Sequence, residues 1–369
     1  MNILVAVAHP KHVHIFRNFI KIMVDRGHEV KIVAVDKDVT EYLLKQYGLF
    51  YTFIGKNQPG LIRKGMSMIN RELLTFKIAK KFDPDIFVGR AFPELAHVSV
   101  FLKKPFIVFE DTEIAKIVHK ITIPFTDCVV TPLCYKGSFG EKHVRFNGYF
   151  ELAYLHPNYF KLDASVLDDL GLSKDDKFII IRLVSWEATH DAHSRGFSKD
   201  LERIIKSLEE YGHIFITSER KLNSNLDKYK IQIPPEKLHS ALYYASLYFG
   251  EGGTTAVEAA LLGTPSVHVV AFKTKSGEVA DATKILGNFD ELVNKYGMLY
   301  TFADPDPALN KALEILQDKN AKKEMRKKRE KLLREKIDVT AFMTDFIENY
   351  PESFYEYMQR KGYEGRKGQ

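Results

Sequence analysis

GEGGTTAVEAALLGTPSVHV, residues 250–269, reads as a strand end, a glycine turn, a helix, a tight turn and the next strand. Tyr248 and Phe249 close an apolar segment just before it. Gly250, Gly252 and Gly253 leave the backbone free to take positive φ or to approach a ligand closely. Thr254 and Thr255 are placed to cap a helix from about Ala256 to Leu262. The first N–H groups of such a helix point outward and attract a phosphate or carboxylate. Glu258 lies one turn inside, within reach of a ribose on the same ligand. Gly263 and Pro265 end the helix, and Ser266–Val270 reads as a buried strand. A bare β-α-β unit with no ligand is the alternative. The crowding of three glycines, two threonines and an acid into 250–258 tells against it.

Working outward, the same β/α alternation covers the chain. Asn2–Ala8, Glu29–Val35, Asp85–Val88, Pro105–Phe109, Phe178–Val184 and Ile214–Thr217 are apolar runs of buried-strand type. Helical spacing predicts helices from near Val13, over Asp38–Tyr47, Phe197–Tyr211, Leu238–Tyr244 and Ala308–Leu316, and finally over Thr340–Tyr350. Pro157, Asp163, Asp168, Asp169, Gly171 and Ser173 cluster between two strong strands and mark a domain boundary at about 157–175. The N-terminal strand lacks the GxGxxG of dinucleotide enzymes, which argues against a nicotinamide-dependent dehydrogenase.

At 369 residues, with 45% hydrophobic and 28% charged residues, the chain has the composition of a soluble globular protein of two domains. A net charge of +6 suits anionic ligands or an anionic membrane surface, and no nucleic-acid-binding signature accompanies it. Cys128 and Cys134 form no zinc-type spacing and no disulfide framework, so neither a metal nor a cofactor is expected. MNILVAVAHP reads as a strand rather than a signal peptide, and no apolar run is long enough to span a membrane. The expected location is cytoplasmic, with peripheral contact at the inner face of the membrane left open.

Several stretches carry chemistry. His9, His12 and His14 crowd the turn beyond the carboxyl end of the first strand, where open α/β sheets bind ligands. Imidazole titrates near neutrality and suits a general base; a capping or surface histidine is the plainer account of each one. EDTE, residues 110–113, ends another strand. Its carboxylates can repel one another and raise a pKa, which makes Asp111 and Glu113 candidate acid–base groups; alternatively Asp111 or Thr112 caps a helix. Residues 55–74 mix Lys56, Arg63, Lys64 and Arg71 with apolar side chains, either a membrane-surface loop or a helix packed on the core. His190, Asp191 and His193 read as a loop first and as a metal set last. The Lys/Arg-dense run 319–336 reads as a solvated helix laced with i,i+4 pairs, with a lipid-surface patch as the alternative.

The glycine–threonine turn, the His-rich first loop, the EDTE segment, FDPDIFVGR and GYFELAYLHP together resemble the GT-B superfamily, which includes many glycosyltransferases and the non-hydrolysing UDP-N-acetylglucosamine 2-epimerases. The resemblance implies an α/β fold of two Rossmann-like domains, with parallel sheets facing a central cleft and a C-terminal helix crossing back to the first. Domain one would be 1–160, completed by 340–360, and domain two 175–338. It also implies that Gly252, Gly253, Thr254 and Thr255 hold a diphosphate and that Glu258 holds the ribose. Arg182 and Ser185, on a loop that faces the diphosphate in this superfamily, would bind substrate, as would Arg90. His12, with His14 next, corresponds to a first-loop histidine that contacts or deprotonates an acceptor. The activity implied is metal-independent transfer of a sugar from a nucleotide-diphosphate donor, UDP-linked, to a glycan or lipid-linked acceptor in polysaccharide or glycan biosynthesis. A UDP-sugar 2-epimerase-like enzyme and a binding protein without turnover are the alternatives. GEGGT in place of the epimerases' SDSGG weakens the former.

Overall fold

The computed structural model describes residues 1–56, 61–185, 197, 200–273 and 277–367; over 61–66 and 362–367 the description is of the backbone alone. The chain divides into two compact units. Unit 1 comprises Met1–Leu133, Gly137–Tyr159 and Ile337–Gln369, and unit 2 comprises Cys134–Lys136 and Phe160–Lys336.

Unit 1 is built on seven strands: β1 (Asn2–Val7), β2 (Glu29–Asp36), β3 (Tyr51–Lys56), β4 (Ile86–Gly89), β5 (Phe106–Phe109), β6 (Cys128–Pro132) and β7 (His143–Phe146). They run parallel in the order β3-β2-β1-β4-β5-β6-β7. Both faces are covered, so Ile3–Val7 and Phe106–Phe109 are buried throughout, as apolar runs in parallel sheets require. The helices are α1 (Pro10–Asp25), α2 (Thr40–Gln46), α3 (Leu61–Phe82), α4 (Pro93–Leu102), α5 (Lys116–Thr122) and the single turn α6 (Leu152–Leu155). α1 starts at Pro10, earlier than its apolar spacing suggests, because His9 caps it and proline suits the first helical position. Gly27, at φ 85°, then takes the left-handed turn that ends it.

Unit 2 follows the same plan with five parallel strands: β8 (Phe178–Leu183), β9 (His213–Ser218), β10 (Leu247–Gly250), β11 (Ser266–Val269) and β14 (Leu299–Phe302). Their order is β14-β11-β10-β8-β9, and β12 (Phe272–Lys273) pairs with β13 (Val279–Ala280) apart from this sheet. Its helices are α7 (Val166–Asp169), α8 (Leu201–Leu208), α9 (Leu238–Tyr244), α10 (Gly253–Leu261), α11 (Gly287–Asp290), α12 (Pro305–Gln317) and α13 (Ala321–Glu335). Ala308, Leu309, Ala312 and Ile315 form the buried stripe of α12, and Asp304 caps that helix by accepting from the Asp306 N–H at 2.9 Å.

The last helices, α14 (Val339–Glu348) and α15 (Glu352–Lys367), return to unit 1. Thr340 Oγ1 donates to the Ala153 carbonyl at 2.7 Å, and Asn18 on α1 donates to the same oxygen at 2.8 Å. α15 runs to Lys367. Among the described residues, no helix is long and apolar enough to cross a membrane.

Candidate functional site

In unit 2 the strand order reverses between β8 and β10, the kind of switch point beyond whose carboxyl ends α/β sheets bind ligands. Arg182, near the end of β8, pairs in register with Gly250 at the end of β10, and the Glu251 N–H donates to the Arg182 carbonyl at 2.9 Å. α10 begins at Gly253, ahead of the threonines. Gly252 is its N-cap, and no side chain caps it. Thr254 and Thr255 therefore stand inside the first turn rather than capping it, and the helix start is bare of side-chain acceptors.

None of the three glycines adopts positive φ. Close approach accounts for two of them. A Cβ on Gly250 would lie 2.7 Å from Tyr248 Oη and 2.8 Å from the Arg182 carbonyl, and one on Gly252 would lie 2.8 Å from Arg182 Cγ. Gly253 is different, since a Cβ there meets only the Phe289 ring, at an ordinary 3.7 Å. Packing demands the first two glycines and leaves the third unexplained.

Arg182 donates from Nη1 to Thr217 Oγ1 and from Nη2 to Glu219 Oε1 at 2.5 Å. Its Nε is buried with no hydrogen-bond partner among the described residues. Glu219 also accepts from the Ser185 N–H at 3.3 Å, so an anion that took Arg182 would have to displace this carboxylate. Glu258 is 5% exposed and sits 3.0 Å from His239 Nε2 on α9, so a ribose would share it with this histidine. Two further groups hold the turn. Buried Glu251 accepts from the Val184 and Phe197 N–H groups, both at 3.0 Å. His268 on β11 has its pKa pushed down to about 4 by burial, and it contacts the Glu251 backbone.

Unit 1 has its own switch point between β1 and β4, and a buried ionic cluster lies at the carboxyl ends of β1, β4 and β5. Lys11, in the first turn of α1, bridges Asp111 Oδ2 at 3.0 Å and Glu151 Oε1 at 2.9 Å. Arg90, just past β4, donates from Nη2 to Glu110 at 2.7 Å, to Thr112 Oγ1 at 3.1 Å and to Asp111. Its Nη1 is buried with no hydrogen-bond partner among the described residues. Glu110 also accepts from the Asp111 and Thr112 N–H groups at 2.9 and 2.8 Å, which folds the EDTE turn back on itself.

These contacts reverse the expected electrostatics. Burial alone would push the Asp111 and Glu110 carboxyls up. Arg90 and Lys11 outweigh it for Asp111, while Arg90 and His119 bring Glu110 down to about 2. Glu151 is the exception. Its burial, with Asp111 nearby, outweighs Lys11 and raises its pKa. The cap alternative also fails, because α5 begins at Lys116 behind Ala115 with no side-chain cap. Glu113 lies half-buried in the turn before α5.

The three histidines take three separate jobs. His9 caps α1 through the Lys11 N–H at 3.1 Å. His12 Nδ1 accepts the Ala8 N–H at 3.2 Å, and burial, with Arg90 next, holds its pKa well below the usual value. A neutral His12 therefore carries its proton on Nε2 and offers a donor there, not a base. His14 lies two residues on, about 200° around the helix. It is buried with its ring 5.2 Å from Tyr154 and 5.8 Å from Tyr47, a core position outside the ionic cluster.

A family model described as "Protein of unknown function (DUF354)" matches residues 1–352. The chain belongs to this family. The DUF354 chain is 24% identical over 277 residues to the uncharacterized protein MJ0665 of Methanocaldococcus jannaschii, covering 72% of this chain and 81% of that one. Its fold is similar to that of S. aureus MnaA in a co-structure with UDP, at 12% identity and TM-score 0.66, covering 96% of this chain and 97% of that one. The UDP-GlcNAc 2-epimerase of Neisseria meningitidis bound to UDP-GlcNAc matches at 12% identity and TM-score 0.63, covering 96% and 100%. The rhamnosyltransferase SpnG complexed with thymidine diphosphate matches at 14% identity and TM-score 0.62, covering 95% and 100%. At these identities the likeness establishes the fold, and the DUF354 chain has the GT-B fold.

The structure of this DUF354 member also redraws the basic segments. In α13, Lys322 donates to the Tyr244 and Ala245 carbonyls, both at 2.6 Å, Lys328 to Gly297 at 2.7 Å and Arg329 to Leu261 at 2.8 Å. Those carbonyls end α9 and α10 or lie in the turn before β14, so three of the basic side chains serve backbone acceptors of neighbouring elements, while Lys319, Lys323, Arg326, Lys327, Lys331 and Arg334 are exposed to solvent. From Leu61 onward, residues 55–74 are helical, as part of α3. Trp186, His190, Asp191 and His193 lie outside the described residues. Among those described, no group of three or more His, Cys, Asp or Glu is arranged to hold a metal ion.

Proposed function

We propose that this chain is an enzyme acting on a nucleoside diphosphate sugar, which it binds in unit 2 and whose sugar it transfers to an acceptor hydroxyl. The observation that carries this reading is the bare start of α10 beside Arg182 at the switch point of the second sheet. Backbone N–H groups of Gly253, Thr254 and Thr255, aligned with the helix dipole, suit a diphosphate. Arg182, whose Nε has no partner and whose Nη2 is held by Glu219, adds a guanidinium that matches phosphate geometry. Negative charge develops on the diphosphate as the sugar leaves, so a fixed helix start and guanidinium stabilise the transition state more than the ground state. No metal is needed for that step. Glu258, oriented by His239, takes the ribose hydroxyls. UDP is the first nucleotide to try, because MnaA and the Neisseria epimerase were solved with UDP or UDP-GlcNAc.

Unit 1 supplies the candidate proton acceptor for the hydroxyl: among its buried carboxylates Glu151, whose pKa is raised, is a stronger base than the ion-paired Asp111, while His12 donates a hydrogen bond from Nε2. One observation favours a second reading, a nucleotide-sugar 2-epimerase-like enzyme. Asp111 and Glu151 flank Lys11 with pKa values displaced in opposite directions, an arrangement that suits removing a proton from one face and returning it from another. Incubating a UDP-sugar with the protein, alone and with acceptors, and following the sugar by NMR separates the two. Acceptor-dependent transfer supports the first reading. Conversion of the donor alone to its C2 epimer supports the second. A bound donor left unchanged under every condition would refute both.

A further inference from the structure

The helix layer α3–α4–α5 of unit 1 presents an apolar face edged with lysine. His97, midway along α4, ties the layer together. Its Nδ1 meets Glu72 of α3 at 2.5 Å, its Nε2 meets the Ile121 carbonyl at the end of α5 at 3.1 Å, and its ring contacts Phe125 at 5.0 Å. Side chains in phase with His97 therefore share one side of the molecule. On α4 these are Val100 and Phe101, three and four residues on, and Phe101 is 73% exposed. Phe101 meets Phe76 of α3 edge-on at 5.0 Å, and Leu73, one turn before Phe76, is exposed beside it. On α5, Ile117 is 65% exposed and Ile121 stands one turn further along. An uncovered apolar surface spread over three adjacent helices is uncommon in a protein that works alone in water.

The charges on this face that lack an ion-pair partner among the described residues carry one sign. Lys77 and Lys80 continue the Leu73 stripe along α3, while Lys116 and Lys120 interleave with Ile117 and Ile121; all four are exposed. Among the described residues none of them pairs with a carboxylate. Glu72, the acid inside the face, is held by His97. A second copy of the chain fits poorly, because a two-fold contact sets a patch against itself and would bring lysine onto lysine. Nucleic acid would leave the apolar centre uncovered.

We propose that this face docks on an anionic lipid bilayer, with Phe101, Leu73 and Ile117 entering the headgroup boundary and the lysines meeting acidic headgroups. The inference does not depend on the nucleotide-sugar reading, and its test uses no nucleotide. The full-length protein is sedimented with vesicles of phosphatidylcholine alone and of phosphatidylcholine mixed with phosphatidylglycerol. Binding is expected only to the mixed vesicles, and it weakens as salt is raised. Lys77→Gln with Lys120→Gln lowers partitioning about fivefold per lysine. Phe101→Ser lowers it again while leaving the unfolding midpoint unchanged. Equal binding to neutral vesicles, no binding to anionic ones, or indifference to these substitutions overturns the proposal. So does a dimer in light scattering that Phe101→Ser converts to monomer, which would assign the face to a second copy.

Discussion

Gly250→Ala and Gly253→Ala are expected to separate packing from ligand approach at the turn before α10. A methyl at Gly250 meets Tyr248 Oη at 2.7 Å, Arg182 Cβ at 2.8 Å and the Arg182 carbonyl at 2.8 Å, all inside normal contact distance. None of these atoms yields easily. Tyr248 is fully buried with its hydroxyl bonded to the Gly252 carbonyl at 2.9 Å, and Arg182 belongs to β8, paired on both sides by β10 and β9. The overpacking costs about 1–3 kcal/mol. At Gly253 the methyl touches only Phe289 at 3.7 Å, in a helical position where alanine is worth about 0.5–1 kcal/mol over glycine. Urea unfolding followed by far-UV circular dichroism should therefore show Gly250→Ala destabilised and Gly253→Ala unchanged or slightly stabilised. Calorimetric titration with UDP should show the reverse order of damage. The Gly253 methyl stands where a diphosphate must approach the backbone, and affinity falls about tenfold or more, roughly 1.4 kcal/mol. Wild-type affinity in Gly253→Ala would refute the placement of the diphosphate. Wild-type stability in Gly250→Ala would refute the packing argument.

Arg90→Leu leaves Glu110 and Asp111 buried without their main cation and should cost about 3–5 kcal/mol in denaturant unfolding. Acid should destabilise unit 1 for a related reason. Glu110 is held near 2 against its usual 4.5, worth about 3 kcal/mol by linkage. That stability is complete above the unfolded value and is lost as pH falls through 4.5 toward 2, a limb that Glu110→Gln should flatten in a pH series of unfolding midpoints. Glu151 has the opposite sign. Its raised pKa means that the fold holds the proton more tightly than the unfolded chain, so stability declines as pH rises above the ordinary carboxylate value, and Glu151→Gln should remove that decline. Glu251→Ala deprives the Val184 and Phe197 N–H groups of their acceptor and should cost about 1–3 kcal/mol, measured the same way.

The β/α alternation was legible because parallel strands buried on both faces must be apolar runs, and the 250–269 stretch carried its strand, turn and helix in plain order. Helix ends were harder to place. α1 begins at Pro10 because a histidine, an unusual cap, starts it, and α10 begins at a glycine with no side-chain cap, so neither carries an ordinary starting signal. Strand β7, HVRF, is too short and too polar to stand out, and His143 survives burial by bonding Thr131 at 2.8 Å. At the site, residue type gave the candidates but not their partners. Nothing local to EDTE reveals that Arg90 and Lys11 converge on it, or that Glu151 joins from a segment forty residues away. Those long-range pairs turned an expected raised pKa into lowered ones. His12 likewise reads as a base from residue type alone, whereas the Ala8 N–H that occupies its Nδ1 is a contact of the fold. In α13 the charge density was plain, whereas its use on carbonyls of other helices exists only in three dimensions.

The most direct test of the central claim is a thermal-shift screen of the purified protein against UDP, GDP, CDP and TDP with their common sugars. A ligand that binds only the native state raises its stability by mass action, about 2.7 kcal/mol at a hundredfold excess over Kd. The account predicts a clear upward shift with one of the nucleotides, UDP first, and its loss in Arg182→Ala. A folded protein indifferent to all of them would contradict it, leaving the turn at 250–255 as packing alone.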